Sequence, residues 1–293
     1  MKTRLTFLSL LIANSVFAQH DHHASDTVPA ATPPVIRPAA RLWTTQPLLL
    51  PGRVARGERA SALLKPQGIA ASAVTVFAPE GPAERLKIAY PVESEGAKIA
   101  PVSPKIGNYH WVVAREEGTD EIRVASTAWY FGNPGDSPKQ LLQVPKHELE
   151  IVPDPLPREH GSYRESEKWR FLVRFNGQPL PDQPVTLETA FGSRSTVLTD
   201  AAGIATVLFP RDFKPAERKG EDSQAGHGPR RVPFVLSTAK EIDGRKYLTA
   251  FNLTYGQDDD RNRSLGWGAA FGLVGMLAAT PLLRRKNGVM ANA

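Results

Sequence analysis

Three of the seven histidines in this 293-residue chain stand close together near its start, in the sequence QHDHH at residues 19–23. Neutral imidazole is a good ligand for Ni(II), Co(II), Cu(II) and Zn(II), and a carboxylate would add an oxygen ligand. The predicted metal ligands are therefore His20, Asp21, His22 and His23. The alternative is a solvated polar segment, because a flexible chain loses conformational entropy when it orders around an ion.

A second pair of histidines, His147 and His160, flanks the sequence HELEIVPDPLPREH. Glu148 and Glu150 stand beside them, so a metal site between two domains is a further hypothesis. The spacing matches no zinc or di-iron signature. The alternative interpretation is that these residues are solvated side chains at a linker. Apart from a Ni, Co, Cu or Zn ion, the sequence implies no cofactor.

His110 precedes Trp111 in a predicted strand. Adjacent residues of a strand point to opposite faces of the sheet. One of the two is therefore expected in the core and the other at the surface.

Signatures of catalysis are absent from the sequence. It contains no G-x-S-x-G, H-E-x-x-H, phosphate-loop or dinucleotide-binding motif. It also contains no cysteine, which excludes disulfides, thiolate metal sites, iron–sulfur clusters and cysteine nucleophiles. We expect a protein that is not an enzyme and has no catalytic residues.

Residues 1–18 have the pattern of a secretory signal peptide. Lys2 and Arg4 precede a short apolar run at residues 5–12, and Val16 and Ala18 supply the small side chains that a signal peptidase requires. Cleavage after Ala18 would leave the histidine cluster at the start of the mature chain.

Residues 265–283 (LGWGAAFGLVGMLAATPLL) contain no charged side chain, and three basic residues follow them. At about 1.5 Å per residue, a helix of this length covers a hydrocarbon core of roughly 30 Å. The basic residues are typical of a cytoplasmic flank. The sequence thus predicts a single transmembrane helix in the bacterial inner membrane, with residues 284–293 in the cytoplasm and the main domains in the periplasm. The alternative is a buried core helix.

The net charge of +6 reflects this topology more than it reflects binding partners. Two basic residues belong to the signal peptide and three follow the predicted span, so residues 19–263 carry a net charge of only +1. Nucleic acid is therefore not an expected partner, because it needs a clustered basic surface.

The remaining chain has the pattern of short antiparallel strands, and the predicted fold class is all-β: two β-sandwich, immunoglobulin-like domains plus the C-terminal transmembrane helix. A disordered, proline-containing tether at 19–40 precedes a first β domain at 41–145. An immunoglobulin-like domain at 146–256 and a linker at 257–264 follow.

Two predictions within the second domain are specific. In WRFLVRF, residues 169–175, the alternation places Arg170 and Arg174 on a solvated face. The sequence STVLTDAAGIATVLF, residues 195–209, is expected to form a hairpin-like unit, with turn chemistry supplied by Asp200 and Gly203.

Three segments of the second domain, LEIVP at 149–153, GQPLPDQPV at 177–185 and TDAAG at 199–203, carry a resemblance. The chain over residues 41–255 resembles a bacterial periplasmic family of unknown function, formerly described as the periplasmic component of cobalt or nickel transport systems. The resemblance implies an immunoglobulin-like or carboxypeptidase-regulatory-like β domain in the cell envelope. Where that family carries an H-D-F-W-L-like segment, this chain has RLWTTQPLLL, with Trp43 and no histidine.

Together these observations predict a membrane-anchored periplasmic accessory or binding protein linked to transition-metal uptake or handling. Its partners would be the membrane and a metal transporter or outer-membrane receptor. The alternative is a structural or interaction module of the cell envelope that binds protein or carbohydrate, because immunoglobulin-like domains serve both uses.

Overall fold

The computed structural model describes residues 43–52, 61–102, 109–132, 138–157, 161–213, 231–258 and 265–284. Strands dominate these residues, which confirms the all-β class. The strands are β1 Leu48–Pro51, β2 Ala62–Gln67, β3 Ala73–Phe77, β4 Lys87–Pro91, β5 Ala97–Ile99, β6 Tyr109–Glu117, β7 Glu121–Tyr130, β8 Leu149–Pro153, β9 Tyr163–Arg164, β10 Lys168–Phe175, β11 Gln178–Pro179, β12 Pro184–Thr189, β13 Arg194–Leu198, β14 Ile204–Leu208, β15 Arg231–Ile242 and β16 Arg245–Gly256. The helices are α1 Lys139–Gln143, α2 Leu265–Arg284 and a 3-10 turn at Ala83–Arg85.

The strands form three sheets. A nine-stranded sheet has the order β13-β12-β15-β16-β7-β6-β3-β4, with the short β9 also paired to β16. A four-stranded sheet has the order β11-β10-β14, with β8 on β10, and a three-stranded sheet has the order β1-β2-β5.

The nine-stranded sheet is buried on both faces. Trp111 of β6 lies in one core cluster with Phe171 of the four-stranded sheet. Its neighbour Val112 lies in a second cluster with Leu64 of the three-stranded sheet. Because successive side chains of a strand point to opposite faces, the two smaller sheets cover opposite faces of the large one. This explains the uninterrupted burial of residues 110–114.

The sheets do not divide at the predicted domain boundary between residues 145 and 146. β7, from the predicted first domain, pairs in parallel with β16, from the second, from Glu121 and Lys246 to Ser126 and Phe251. The ring of Trp111 also stacks on that of Phe251, with centroids 5.3 Å apart. The prediction of two separate sandwiches is therefore wrong, because pairing between strands so distant in sequence leaves no local signal.

The predicted hairpin at residues 195–209 is also wrong. β13 pairs with β12 in the nine-stranded sheet, whereas β14 pairs with β10 in the four-stranded sheet. The turn chemistry is confirmed: the backbone N–H groups of Ala202 and Ile204 both donate to Asp200 Oδ1 at 2.9 Å, and Gly203 has φ +74°. The turn thus carries the chain from one layer to another.

Helix α2 spans Leu265–Arg284, and several of its large apolar side chains are exposed, among them Phe271, Val274 and Leu277. Among the residues that the structure describes, no helix combines the length and the apolar character needed to cross a bilayer. The transmembrane assignment of residues 265–283 stays a prediction. The predicted signal peptide and tether lie outside the described residues.

Candidate functional site

The structure describes only one of the predicted metal ligands, His147. His20, Asp21, His22, His23 and His160 lie outside the described residues. Of the two proposed sites, the structure therefore places only His147. Within the described ranges, no group of three or more histidine and carboxylate side chains lies close enough to hold a metal ion.

His147 lies just before β8 and is buried rather than solvated. Its side chain is 3% exposed, and neither ring nitrogen has a hydrogen-bond partner. Nε2 lies 3.9 Å from Oε1 of Glu150, which is beyond hydrogen-bonding distance. Burial lowers the pKa of His147 to about 4, so the imidazole is neutral at physiological pH. The expectation of a solvated linker histidine is wrong.

The carboxylate of Glu150, next to His147, already accepts hydrogen bonds from two other groups. Glu150 Oε2 accepts a hydrogen bond from Arg174 Nε at 2.6 Å, and Oε1 accepts one from the backbone N–H of Lys146 at 3.0 Å. A divalent cation at this position would face the guanidinium of Arg174 at close range. The described surroundings of His147 therefore form a structural ion-pair network.

Arg174 is 3% exposed, although the alternation in β10 predicted a solvated face. Its guanidinium donates to the carbonyl oxygens of Gln143 at 2.7 Å, Val144 at 3.0 Å and Leu142 at 3.2 Å. These are carbonyls at the C-terminal end of α1, which have no partner within the helix. The prediction failed because α1 covers this part of the sheet.

Lys146 joins the same network. Its Nζ donates to the carbonyl oxygens of Leu141 at 2.6 Å and Val144 at 2.7 Å, and lies 5.5 Å from the ring centroid of Trp111. Burial lowers the pKa of Lys146 to about 8. The network thus fastens α1 to the core at the point where the chain passes from the first predicted domain to the second.

His110 and Trp111 are both 1% exposed, so the expectation that one would lie at the surface is wrong. The His110 side chain lies between the nine-stranded and three-stranded sheets, where its Nε2 accepts a hydrogen bond from the backbone N–H of Val102 at 3.4 Å. The edge of its ring meets Phe131, with centroids 4.8 Å apart.

A cleft opens at the end of the parallel pairing between β7 and β16. The ladder stops at Ser126 and Phe251, and further along β9 pairs with the edge of β16 at Tyr255 and Gly256. Where the strands separate, Thr127 Oγ1 donates to the carbonyl oxygen of Asn252 at 2.8 Å. The cleft therefore results from two neighbouring strands that diverge and admit the short β9.

The volume of this cleft is about 360 Å³. Ligand pockets in proteins cover roughly 300–1,000 Å³, so this one suits a small molecule or a single large side chain. Four aromatic side chains line it: Tyr109, Trp129, Tyr130 and Tyr163. The rings of Tyr109 and Tyr130 are in contact, with centroids 5.1 Å apart.

Strand β1 forms another wall of the cleft, and Asn252 holds it in place. The backbone N–H of Leu49 donates to Asn252 Oδ1 at 2.8 Å, and Asn252 Nδ2 donates to the carbonyl oxygen of Leu49 at 2.9 Å. These two hydrogen bonds resemble the pairing between neighbouring strands, and they hold β1 against β16. The wall is thus formed before any ligand binds.

Tyr163 lines the cleft and carries a buried polar group that is unsatisfied. Its ring is fully buried against Phe171, Phe209 and Phe234, and its hydroxyl oxygen has no hydrogen-bond partner. Burial raises the pKa of Tyr163 well above its ordinary value, so the group remains a neutral phenol that can donate or accept. At the same cleft, the exposed Arg231 begins β15.

Sequence reasoning missed this cleft. Its aromatic side chains occur in YHW and AWYF, which read as ordinary half-buried strand sequences. The cleft exists because β7 and β16 pair over only part of their length, and no local pattern encodes where such pairing stops. The concentration of aromatic residues at the facing ends of β6 and β7 was the only available signal.

No family model matches the chain, and no curated protein matches it. Among solved structures, a match is found to one described as a Ca²⁺-stabilized adhesin that helps an Antarctic bacterium reach out and bind ice. The match covers 73% of this chain and 49% of that chain, with 11% sequence identity and a TM-score of 0.24. The chain thus spans about half the length of that structure, and a TM-score this low carries no argument about fold or function. The resemblance to the periplasmic family stays a prediction.

Proposed function

We propose that this chain is a non-enzymatic binding protein of the bacterial cell envelope, and that it binds its ligand in the aromatic cleft. The observation that carries the proposal is a cleft of about 360 Å³ lined by four aromatic side chains, with one wall held in place by Asn252. A preformed, mainly apolar cleft of this size is typical of sites that bind small ligands.

The side chains around the cleft support binding rather than catalysis. Its described lining includes no histidine, carboxylate or lysine that could act as a general acid or base. The lining is mainly apolar, with a few polar groups, as in sites that recognise a molecule without changing it.

The proposed location rests on the two ends of the chain. The signal peptide pattern at residues 1–18 supports export, and the charge-free segment at 265–283 supports a single anchor in the inner membrane. The exposed apolar side chains on α2 favour a lipid environment, since each of them gains free energy when it leaves water.

A second candidate function is transition-metal handling by the N-terminal segment. It rests on a separate observation, three histidines within four positions. In this mechanism His20, His22 and His23 would collect a Ni, Co, Cu or Zn ion and deliver it to a metal transporter or outer-membrane receptor. Composition of this kind is typical of metal-binding tracts.

The test of ligand binding uses the full-length protein and a panel of small aromatic compounds, neutral and charged, observed by ligand NMR. In the Thr254→Trp variant a bulky ring would occupy the cleft, because Thr254 lines it. The matched control is Thr196→Trp, at an exposed position of β13 away from the cleft. We expect binding in the wild type and the control, and loss of binding in Thr254→Trp. Equal binding by all three proteins, or binding by none, would overturn the proposal.

A further inference from the structure

We infer that the cleft recognises a small aromatic carboxylate, with its ring between the aromatic walls and its carboxylate at Arg231. This inference rests on the proposed binding function and adds the chemical class of the ligand. The structure favours this class through two separate features: the aromatic walls and the charge of Arg231.

The walls favour a flat, apolar group. Rings of Tyr109, Trp129, Tyr130 and Tyr163 line the cleft, and Leu49 and Leu253 add aliphatic surface. Aromatic rings pack well against one another in offset or edge-to-face arrangements. An aromatic ligand would therefore bury its faces against complementary surfaces.

Arg231 sets the charge of the ligand. It lines the cleft and is exposed, and no carboxylate side chain of the described residues forms an ion pair with it. The cleft lining in the described chain contains no acidic side chain to offset this positive charge. The planar guanidinium matches a carboxylate through two parallel hydrogen bonds.

Two kinds of molecule carry an aromatic ring beside a carboxylate: a free aromatic acid, and a peptide that ends in an aromatic residue. They share the chemistry that the cleft recognises and differ in the chain attached to it. The experiment therefore uses both kinds, each with a partner in which an amide replaces the carboxylate.

The probes are 3-phenylpropionate and the peptide Ala-Ala-Phe with a free C-terminus, together with the corresponding amides and indole as a neutral aromatic control. Dissociation constants for the full-length protein would be measured by ligand-observed NMR. We expect at least one carboxylate to bind about tenfold more tightly than its amide, the factor typical of a lost charge-assisted hydrogen bond. Binding of only 3-phenylpropionate would identify a free acid, and binding of only the peptide would identify a C-terminus.

One variant ties this binding to Arg231. Arg231→Gln should weaken carboxylate binding about tenfold and leave amide binding unchanged. The control for charge is Arg194→Gln on β13, which should bind as the wild type does.

Thermal unfolding separates a role in binding from a role in folding. Arg231 is exposed and begins β15, so the Tm of Arg231→Gln should stay close to that of the wild type. Amides or indole that bind as tightly as the carboxylates would overturn the inference and leave the binding function standing. Carboxylate binding unaffected by Arg231→Gln would also overturn the inference. Failure of every probe to bind would overturn both.

Discussion

Arg174 Nε donates to Glu150 Oε2 at 2.6 Å, with only 4% and 2% of the two side chains exposed. Removing one member of a buried ion pair leaves the other charge without compensation, at a cost of about 3–5 kcal/mol. Arg174→Gln should therefore lower the free energy of unfolding by roughly 3 kcal/mol or more, and the loss should be visible in urea denaturation.

The chain offers a matched control for this variant on the same strand. Arg170 pairs with Asp154 at 3.1 Å, but 59% and 50% of these side chains are exposed. An exposed pair contributes about 0–1 kcal/mol, so Arg170→Gln should change stability little. Equal losses in the two variants would show that burial of the Arg174 pair does not determine its contribution.

The buried histidine predicts a dependence of stability on pH. The ordinary pKa of histidine is about 6.5, and burial lowers that of His147 to about 4. Between these values the unfolded chain binds a proton that the folded chain does not, so the free energy of unfolding falls as pH drops from about 6.5 towards 4. The loss is on the order of 3 kcal/mol, since one pKa unit corresponds to about 1.4 kcal/mol.

The comparison for this pH dependence is His147→Gln, which keeps a polar side chain and does not titrate. Its urea midpoint should change less than that of the wild type between pH 6.5 and 4.5. If the two proteins lose stability in parallel over that range, other groups cause the effect.

Gly203 predicts a steric effect at the turn between layers. Its φ is +74°, and a Cβ there would lie 2.8 Å from both the backbone nitrogen of Leu180 and the carbonyl oxygen of Val173. Gly244 has the same φ of +74° with nothing within 4 Å. Alanine at either position incurs the left-handed backbone cost of about 1–2 kcal/mol. Gly203→Ala should lose at least ~1 kcal/mol more than Gly244→Ala in urea denaturation, because backbone atoms cannot move away easily. Similar losses would show that the turn can relax.

The turn at Gly203 illustrates which features the sequence could predict. Asp200 and Gly203 carry their turn chemistry locally, and the pattern of short strands that predicts the all-β class is local too. The pairing of β7 with β16 and the covering of Arg174 by α1 depend on contacts between segments distant in sequence. No residue pattern around Arg174 distinguishes a buried arginine from a solvated one, and the same limit concealed the aromatic cleft.

The histidine cluster gives the last prediction. Calorimetric titration of the full-length protein with Ni(II), Co(II), Cu(II) and Zn(II) should show at least one Kd below about 1 μM, equivalent to ~8 kcal/mol. Alanine at His20, His22 and His23 together should abolish this binding, whereas the control His227→Ala should retain it.

The mass of the intact protein would establish whether Gln19 is the first residue and whether it has cyclised. Cyclisation would remove its amine as a metal ligand. Tight binding that survives the triple substitution would move the site elsewhere in the chain. Weak binding by the wild type would mean that the histidines are a solvated segment, and the cleft would then be the better-supported functional site.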